Sequence, residues 1–410
     1  TIYWITVPAN KLELWFWMES ERLLQPVFRE FYSERDVVKE ERRLRVESTP
    51  TGPFDEQLNA MFWTSHPYKW DTIGWMSDLS TLSMADARIF FDTFYAPNNL
   101  TAALVGNFEV AQVKALAEKY FGRIPRGKIE VPDVVTLEEP QLAEKRMNAE
   151  CDCQPQVSVQ FHTVPFGHQD DYALDVITGL LNGQSGRLNK SLVLDRKIAA
   201  SASATQQSWK YNGFFALSAE TQGDASPADL EAALWAEVER LQNEPVPADE
   251  LQKVKNSVLA DSFRRLQSPF FLLVQILFYE GWGDSAYLNT SAERTLAVTA
   301  EDVQRVAKRY FTRAGRTVAT YARKVGSVAE AVPPELAGLP EPMKNGVLAQ
   351  LKQIRAIEDP GELEQVLGMV EQQKAAVPPE MKPVVDLVER TARERLEELK
   401  AGAAKKEESK

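Results

Sequence analysis

Two carboxylates on one predicted helix are the residues of this sequence whose type and spacing could do chemistry. A capping-box pattern, Ser33 followed three residues later by Asp36, predicts that the helix begins at Ser33. Because helical neighbours recur every three or four positions, one face of this helix carries two glutamates among apolar residues. The residues of this face are Glu34, Val37, Val38, Glu41 and Leu44.

Burying a carboxylate is costly unless a cation, a metal ion or hydrogen bonds compensate its charge. Glu34 and Glu41 are therefore candidates for holding such a partner. The alternative is that both glutamates lie at the edge of the apolar stripe and extend to solvent. Glu40 lies on the other side of the helix with Asp36 and Arg43, where it needs only water and neighbouring charges.

Length and charge restrict the classes of protein that fit. The chain has 410 residues, which predicts two domains and an extension, and its net charge of −12 argues against a nucleic-acid surface. The most apolar run, residues 270–279, is too short to span a bilayer. The two cysteines, Cys151 and Cys153, are too close for an unstrained bridge and form no stapling framework.

The chain contains both strand-like and helix-like patterns of apolar residues, which predicts an α+β fold. We expect a first domain over residues 1–123, a linker over 124–150, a second domain over 151–324, and a proline-rich tether with a helical tail over 325–410. We expect the helical tail either to pack on the second domain or to bind a partner. Strands are predicted at 1–7, 99–106, 157–163, 198–208, 213–220 and 316–322.

The two predicted domains resemble each other in sequence. Residues 86–95 match residues 302–311, a separation of 216 positions (302 minus 86), and Ser83 falls on Thr299 at the same separation. We therefore predict a duplicated fold in which each domain is a mostly antiparallel sheet covered by helices. The opening part of the second copy has no upstream counterpart, so we expect the first domain to lack about 65 residues at its N-terminus.

The same separation relates the candidate residues to the second domain. Glu34 falls on Glu250, whereas Glu41 falls on Ser257. A structural glutamate could vary in this way, and so could a metal ligand that is kept in only one of two duplicated halves.

The segment Glu34-Arg35-Asp36-Val37-Val38-Lys39-Glu40-Glu41 resembles the distal metal-ligand segment of the insulinase/pitrilysin family of zinc peptidases, in its bacterial, mitochondrial-processing-peptidase-like branch. Four further runs over residues 1–324 are similar to the family in the same order. They are His66-Pro67-Tyr68, Gly74-Trp75, Tyr95-Ala96-Pro97-Asn98-Asn99-Leu100 and Val105-Gly106-Asn107-Phe108.

The resemblance implies a zinc-dependent endopeptidase, in which two histidines and a glutamate hold zinc and a motif glutamate activates the metal-bound water. It implies that Glu41 is the third zinc ligand and Glu34 a carboxylate that orients a ligand or the water. The family motif H-x-x-E-H is absent from this chain, and its only histidines, His66, His162 and His168, lack metal-site spacing. We therefore expect no catalytic residue and no complete zinc site in this chain, and expect both in a longer parent.

The resemblance also implies a peptide-gripping arginine and tyrosine, seven residues apart, in the second domain. Counted from Ser185-Gly186-Arg187-Leu188, these positions hold Val193 and Ala200. A homologous subunit that supplies the pair, as in a heterodimer, would explain their absence. The alternative is that Arg187 or Arg196 takes the role.

Two function classes follow. The first is a zinc endopeptidase acting on peptide substrates as part of the longer parent. The second is a non-catalytic homologue that acts as a scaffold or partner subunit. The resemblance favours a bacterial periplasmic or secreted protein over a cytoplasmic one.

Overall fold

The computed structural model describes residues 1–324, 333–336, 341–357, 359–374 and 381–407. Helices cover much of these ranges. They are α1 (Leu12–Leu24), α2 (Phe31–Arg42), α3 (Gly52–Phe62), α4 (Met76–Thr81), α5 (Met84–Phe94), α6 (Val110–Tyr120), α7 (Asp171–Leu181), α8 (Pro227–Asn243), α9 (Ala248–Leu266), α10 (Pro269–Trp282), α11 (Tyr287–Ala297), α12 (Ala300–Tyr310), α13 (Glu341–Ala356), α14 (Pro360–Lys374) and α15 (Lys382–Glu407).

Strands form one mixed sheet in the order β1-β5-β2-β4-β3. The strands are β1 (Lys145–Cys151), β2 (Gln156–Thr163), β3 (Ala199–Ser208), β4 (Gly213–Thr221) and β5 (Arg316–Arg323). Strand β1 pairs parallel to β5, and the other neighbours pair antiparallel. The α+β class is confirmed, as are the predicted strands β2 to β5 and the hairpin between β3 and β4.

The main core lies between this sheet and the helices that follow its strands. In β2 every second side chain is buried, which is the period of a strand with one face on a core. Phe161 of β2 and Phe215 of β4 contact Phe311, with ring centroids 5.1 and 4.7 Å away. Helices α8 and α12 lie on this face of β2. The second block (residues 151–324) therefore has a complete core of its own.

Two strand predictions in the first block (residues 1–123) are wrong. Residues 1–7 and 99–106, predicted as strands, form no strand in the structure. A strand is stabilised by the ladder it makes with a neighbour, and within the described residues neither segment has a paired neighbour. The sheet predicted for the first domain is accordingly not formed in the part of the chain that the structure describes.

Strand β1 lies inside the segment expected to be a linker. Its residues are mostly charged or polar and it forms an edge of the sheet, so it has little of the apolar alternation that marks a strand. Cys151 at its end is joined to Cys153 by a disulfide, with the two Cα atoms 5.2 Å apart.

The first block packs against the sheet of the second. Leu58 of α3 lies in a small cluster with Ala149, Ala319 and Tyr321 of the sheet. Lys145 at the start of β1 donates a hydrogen bond to the carbonyl of Met61, 2.7 Å away, at the end of α3. The first block is thus held to the sheet through α3.

The chain divides into two compact units, Thr1–Ser327 and Val328–Lys410. The second unit has its own apolar cluster, formed by residues such as Leu351 of α13, Leu363 of α14 and Leu387 of α15. This agrees with the helical tail expected from the sequence. Most of the predicted tether (residues 325–332 and 337–340) lies outside the described residues.

Candidate functional site

Helix α2 carries both candidate carboxylates and begins two residues earlier than predicted. It starts at Phe31, after Glu30, whose φ of 60° is in the left-handed region. The expected capping box between Ser33 and Asp36 is not formed. Asp36 instead accepts a hydrogen bond from Lys39 at 3.0 Å. The helix continues past Ser33 because the amide of Glu34 donates to the carbonyl of Glu30, which adds a turn at its start.

A buried ion pair fixes the orientation of α2. Nη1 and Nη2 of Arg42 lie 2.6 and 2.8 Å from the two carboxylate oxygens of Glu56 on α3. The Arg42 guanidinium also donates to the carbonyl of Gly74, 2.7 Å away. Both ionic side chains are less than 10% exposed, and the Glu56 carboxylate raises the pKa of Arg42. The hydrophobic pattern of the sequence does not indicate this pair, because its two members are charged and lie 14 residues apart on different helices.

The neighbouring face of α2, about 100° around the helix from Arg42, is the one predicted to hold the carboxylates, and most of it faces solvent. Val37 is 57% and Leu44 52% exposed, so this apolar stripe covers no core within the described residues. The stripe therefore does not bury Glu34 or Glu41. In this structure both side chains extend toward solvent, as the alternative interpretation of the sequence expects. The core contacts of α2 come from the Arg42 side instead.

Glu34 and Glu41 lie on this exposed face, seven residues and therefore about 10 Å of helix rise apart. The Glu41 carboxylate lies 2.9 Å from Nη1 of Arg45, a side chain that is 74% exposed. The Glu34 carboxylate makes no hydrogen bond or ion pair with the residues that the structure describes. Both carboxylates can therefore take a new partner without breaking a buried contact.

These residues do not by themselves fit a zinc ion. Zinc in proteins is held by three or four nitrogen, sulfur or carboxylate ligands. Across the described ranges, no group of three His, Cys, Asp or Glu side chains could hold a metal ion. Glu41 offers one carboxylate, and we derive no catalytic step from this chain alone.

Within the described residues, the three histidines contact residues other than the candidate carboxylates. The Nδ1 atom of the buried His66 accepts from the amide of Tyr68 at 3.1 Å. His162 stacks on Phe62, with ring centroids 3.8 Å apart, and its Nε2 lies 3.1 Å from the Phe62 carbonyl oxygen. Burial lowers the pKa of His162 to about 4. His168 accepts from the amide of Asp170 at 3.0 Å.

The counterparts of the candidate residues in the second block have a different environment. Glu250, which corresponds to Glu34, binds the guanidinium of Arg187 through two hydrogen bonds of 2.9 and 2.7 Å. The Arg187 side chain is only 8% exposed. Both residues and Ser257, the counterpart of Glu41, line a polar cavity of about 1010 Å³. An arginine thus neutralises the carboxylate in this block.

The two positions at which the family resemblance places a peptide-binding arginine and tyrosine hold apolar residues here. Neither residue lines this cavity. Val193 packs against the core of the second block, and Ala200 is an exposed residue of β3. Of the alternatives, Arg187 is engaged by Glu250, whereas Arg196 is exposed beside the cavity.

A second, largely apolar cavity of about 790 Å³ lies between the first block and helix α10 of the second block. Two chain segments, residues 1–7 and 99–108, form its walls, and side chains of α1 and α5 also line it. We call this cavity the N-terminal groove. The sequence pattern did not indicate this cavity, because it predicted that both wall segments are strands of a complete sheet.

Comparison with known proteins relates the chain to peptidases. Residues 81–258 match the family described as "Peptidase M16 inactive domain". The curated zinc protease PqqE of Helicobacter pylori is 26% identical over 286 residues. That match covers 69% of this chain and 64% of PqqE, so the chain spans less than two thirds of this relative's length.

Solved structures share the fold. A protease from Helicobacter pylori superposes with a TM-score of 0.72 at 24% identity, over 77% of each chain. The periplasmic protease PqqL from Escherichia coli superposes with a TM-score of 0.63 at 16% identity, over 81% of this chain and 38% of that one. These structural matches show a shared fold, and the family and PqqE matches confirm the predicted resemblance to the insulinase/pitrilysin peptidases. Among the described residues, no helix has the length and apolar character that crossing a membrane requires.

Proposed function

From the relationship of this chain to the insulinase-like (M16) zinc peptidases, we propose that it is the larger part of a zinc-dependent endopeptidase. In this proposal Glu41 is the carboxylate ligand of the zinc ion in the longer protein, and Glu34 orients a ligand or the attacking water. The remaining ligands come from outside this chain. The relative PqqE, of which the chain spans 64%, supports a longer parent.

The observation that carries the proposal is the position of the Glu41 carboxylate and its weak ion pair. It lies on the exposed face of a helix that the buried Arg42–Glu56 pair holds in place. Among the described residues its ion-pair partner is Arg45, whose side chain is 74% exposed and can turn away at little cost. A carboxylate on a rigid helix with a weak surface partner is preorganised to bind a metal ion that another segment brings to it.

The duplication of the fold is part of the proposal. At the separation of 216 positions, α5 and α12 have corresponding bounds, and each begins with a capping box, Ser83 with Asp86 and Thr299 with Asp302. The copies differ where chemistry is proposed, since Glu250 is neutralised by Arg187 while its counterpart Glu34 is not. This difference supports a metal site in the first copy only.

A homologous partner subunit would supply the arginine and tyrosine that grip the peptide backbone, since Val193 and Ala200 can donate no side-chain hydrogen bond. The substrates would be extended peptides. We also propose a bacterial periplasmic or secreted location, supported by the description of the structural relative PqqL as a periplasmic protease.

The second candidate function is a non-catalytic scaffold or partner subunit. It is supported by the match of residues 81–258 to a domain described as inactive. The residues that the structure describes also hold no complete metal-binding group. In this case Glu41 would be only a surface carboxylate.

Peptide cleavage by the longer protein separates these functions. We expect the protein with its encoded upstream residues to cleave an unfolded fluorogenic peptide, and expect Glu41→Gln and a zinc chelator to abolish cleavage. Glu40→Gln is the matched control, because Glu40 is the adjacent carboxylate and, among the described residues, pairs with the exposed Arg43 at 2.7 Å. Full activity of the Glu41→Gln variant would contradict the role of Glu41.

The other outcomes are equally specific. A longer protein that binds no zinc and cleaves nothing supports the scaffold function. The longer protein could also bind zinc but cleave the peptide only after a homologous subunit is added. That result would support the absence of the arginine and tyrosine pair as the reason that the longer protein alone is inactive.

A further inference from the structure

The polar cavity of the second block presents hydrogen-bond donors from two facing walls. One wall is the segment 182–196 and the other is helix α9, and the cavity measures about 1010 Å³. On each wall the side chains that line it lie within about two helical turns of one another. They are Arg187, Lys190 and Ser191 on the first wall, and Glu250, Lys253 and Ser257 on the second. Five of these six side chains can donate a hydrogen bond, and the sixth, Glu250, is acidic.

The acidic side chain of this set is neutralised by the protein itself. Arg187 donates to both oxygens of Glu250, at 2.9 and 2.7 Å. These hydrogen bonds hold the pKa of Glu250 below its usual value, and the positive charges of Arg240 and Lys190 act in the same direction. Lys190 therefore lies within electrostatic reach of the ion pair. Because Glu250 already binds Arg187 at two points, it does not neutralise the lysines of the cavity.

A buried nitrogen atom of Arg187 lacks an acceptor. The Arg187 side chain is 8% exposed, and its Nη1 atom has no hydrogen-bond partner among the residues that the structure describes. Buried donors in proteins are nearly always paired, because an unpaired one costs free energy. The unpaired nitrogen therefore indicates that an acceptor from outside the chain enters the cavity beside Arg187.

The remaining charges of the lining leave an excess of one positive charge. Two further carboxylates are held in ion pairs, two are unpaired, and three cations are unpaired. The ion pairs join Glu237 to Arg240 and Asp261 to Arg264. Within the described residues, the unpaired carboxylates are Asp195 and Asp249, and the cations outside any ion pair are Lys190, Arg196 and Lys253. This balance suits a ligand that carries a single negative charge.

The position of Lys253 and the size of the cavity favour an organic ligand. The Nζ atom of Lys253 donates to Oγ of Ser185 on the opposite wall at 2.6 Å, so its ammonium group lies across the cavity. An ammonium group has three donors, and two remain for a ligand. Leu180, Val254 and Val258 add apolar surface to the lining. A volume of about 1010 Å³ is more than an inorganic ion needs and is typical of sites for organic molecules.

We propose that this cavity binds the C-terminal carboxylate of a short peptide whose last side chain is apolar. The carboxylate accepts from the ammonium groups of Lys190 and Lys253 beside Arg187, and the last side chain contacts the apolar part of the lining. The carboxylate is inferred from the charges of the cavity, whereas the choice of a peptide to carry it rests on the proposed peptidase function. The site needs no zinc ion.

Calorimetric titration of the present chain, with a chelator in the buffer, tests the proposal. The probe is the acetylated tripeptide alanine-alanine-leucine with a free C-terminus, and its matched control is the same peptide with a C-terminal amide. We expect the free acid to bind at least about tenfold more tightly, because charge-assisted hydrogen bonds need the carboxylate. No binding of the free acid, or equal binding of both peptides, would overturn the proposal.

Two lysine variants test which side chains hold the carboxylate. Lys190→Met and Lys253→Met should each weaken binding of the free acid by about tenfold. Both lysines are exposed, so neither replacement removes a core contact. Lys308→Met on α12 is the matched control, because Lys308 is also exposed but lies outside the lining, and this variant should bind as the unmodified protein does. Unchanged binding in both cavity variants would contradict the assigned site.

A third peptide separates two sources of the carboxylate. The acetylated and amidated tripeptide alanine-alanine-glutamate carries its carboxylate on a side chain, and we expect it to bind more weakly than the free acid. Equal binding of these two peptides would overturn the assignment to a C-terminus. The titrations contain no free zinc and follow binding instead of cleavage. Tight binding of the free acid therefore supports the proposal even if the longer protein cleaves nothing.

Discussion

Arg187 and Glu250 form a two-point ion pair in the second block, with Nε 2.9 Å from Oε1 and Nη2 2.7 Å from Oε2. Glu250 stands at the repeat position of Glu34, which has no such partner among the described residues. The same helix position thus carries a neutralised carboxylate in one block and a free one in the other. Replacing each glutamate should therefore change the free energy of unfolding by a different amount.

Replacing Glu250 by Gln should lower the free energy of unfolding by about 2 kcal/mol, because the buried Arg187 guanidinium loses its charged partner. Urea denaturation followed by tryptophan fluorescence checks this. All nine tryptophans lie between Trp4 and Trp282, within the unit Thr1–Ser327. The matched control is Glu34→Gln, which should change stability by less than about 0.5 kcal/mol. Equal losses in both variants would contradict the assigned difference.

A second prediction concerns the pair that fixes α2. Arg42→Met leaves the Glu56 carboxylate buried without its cation and should cost about 3 kcal/mol. Arg45→Met removes the exposed partner of Glu41 and should cost no more than about 0.5 kcal/mol. The same denaturation experiment compares the two variants. A loss from Arg45→Met as large as that from Arg42→Met would show that the exposed face, and not the Arg42 face, anchors the helix.

His162 makes stability depend on pH in a defined window. Burial lowers its pKa to about 4, so the unfolded chain binds a proton before the folded protein does as the pH falls below 6.5. The stabilising effect is therefore complete above pH 6.5 and is lost between pH 6.5 and 4, with a magnitude on the order of 3 kcal/mol.

Denaturation at pH 7, 5.5 and 4.5 tests this effect. The variant His162→Phe retains a ring that can stack on Phe62 and removes the titrating group. We expect its stability to fall less than that of the unmodified protein over this range, because the contribution of His162 is removed while the other titrating groups are the same in both proteins. Parallel pH dependences of the two proteins would show that His162 does not contribute.

The second block was predictable because each of its elements carries its own pattern. Strand β2 alternates buried and half-buried residues, and Thr299, the repeat counterpart of Ser83, forms a capping box with Asp302 at the start of α12. These signals are local and do not depend on distant partners.

The first block was harder to predict because its patterns depend on partners. Residues 1–7 and 99–106 are rich in residues that favour strands, but a strand exists only when another strand pairs with it. The apolar stripe with Val37 and Leu44 indicated a buried face, yet the face that packs is the one with Arg42. An arginine joined to Glu56 can be buried, and hydrophobic periodicity does not detect it.

Zinc stoichiometry of the longer protein tests the central claim most directly. Metal content is measured for the unmodified protein, for Glu41→Gln and for Glu40→Gln after the same dialysis against low zinc. The account predicts about one zinc ion per chain in the unmodified protein and in Glu40→Gln, and loss of the ion from Glu41→Gln. Equal zinc content in Glu41→Gln and the unmodified protein would contradict it.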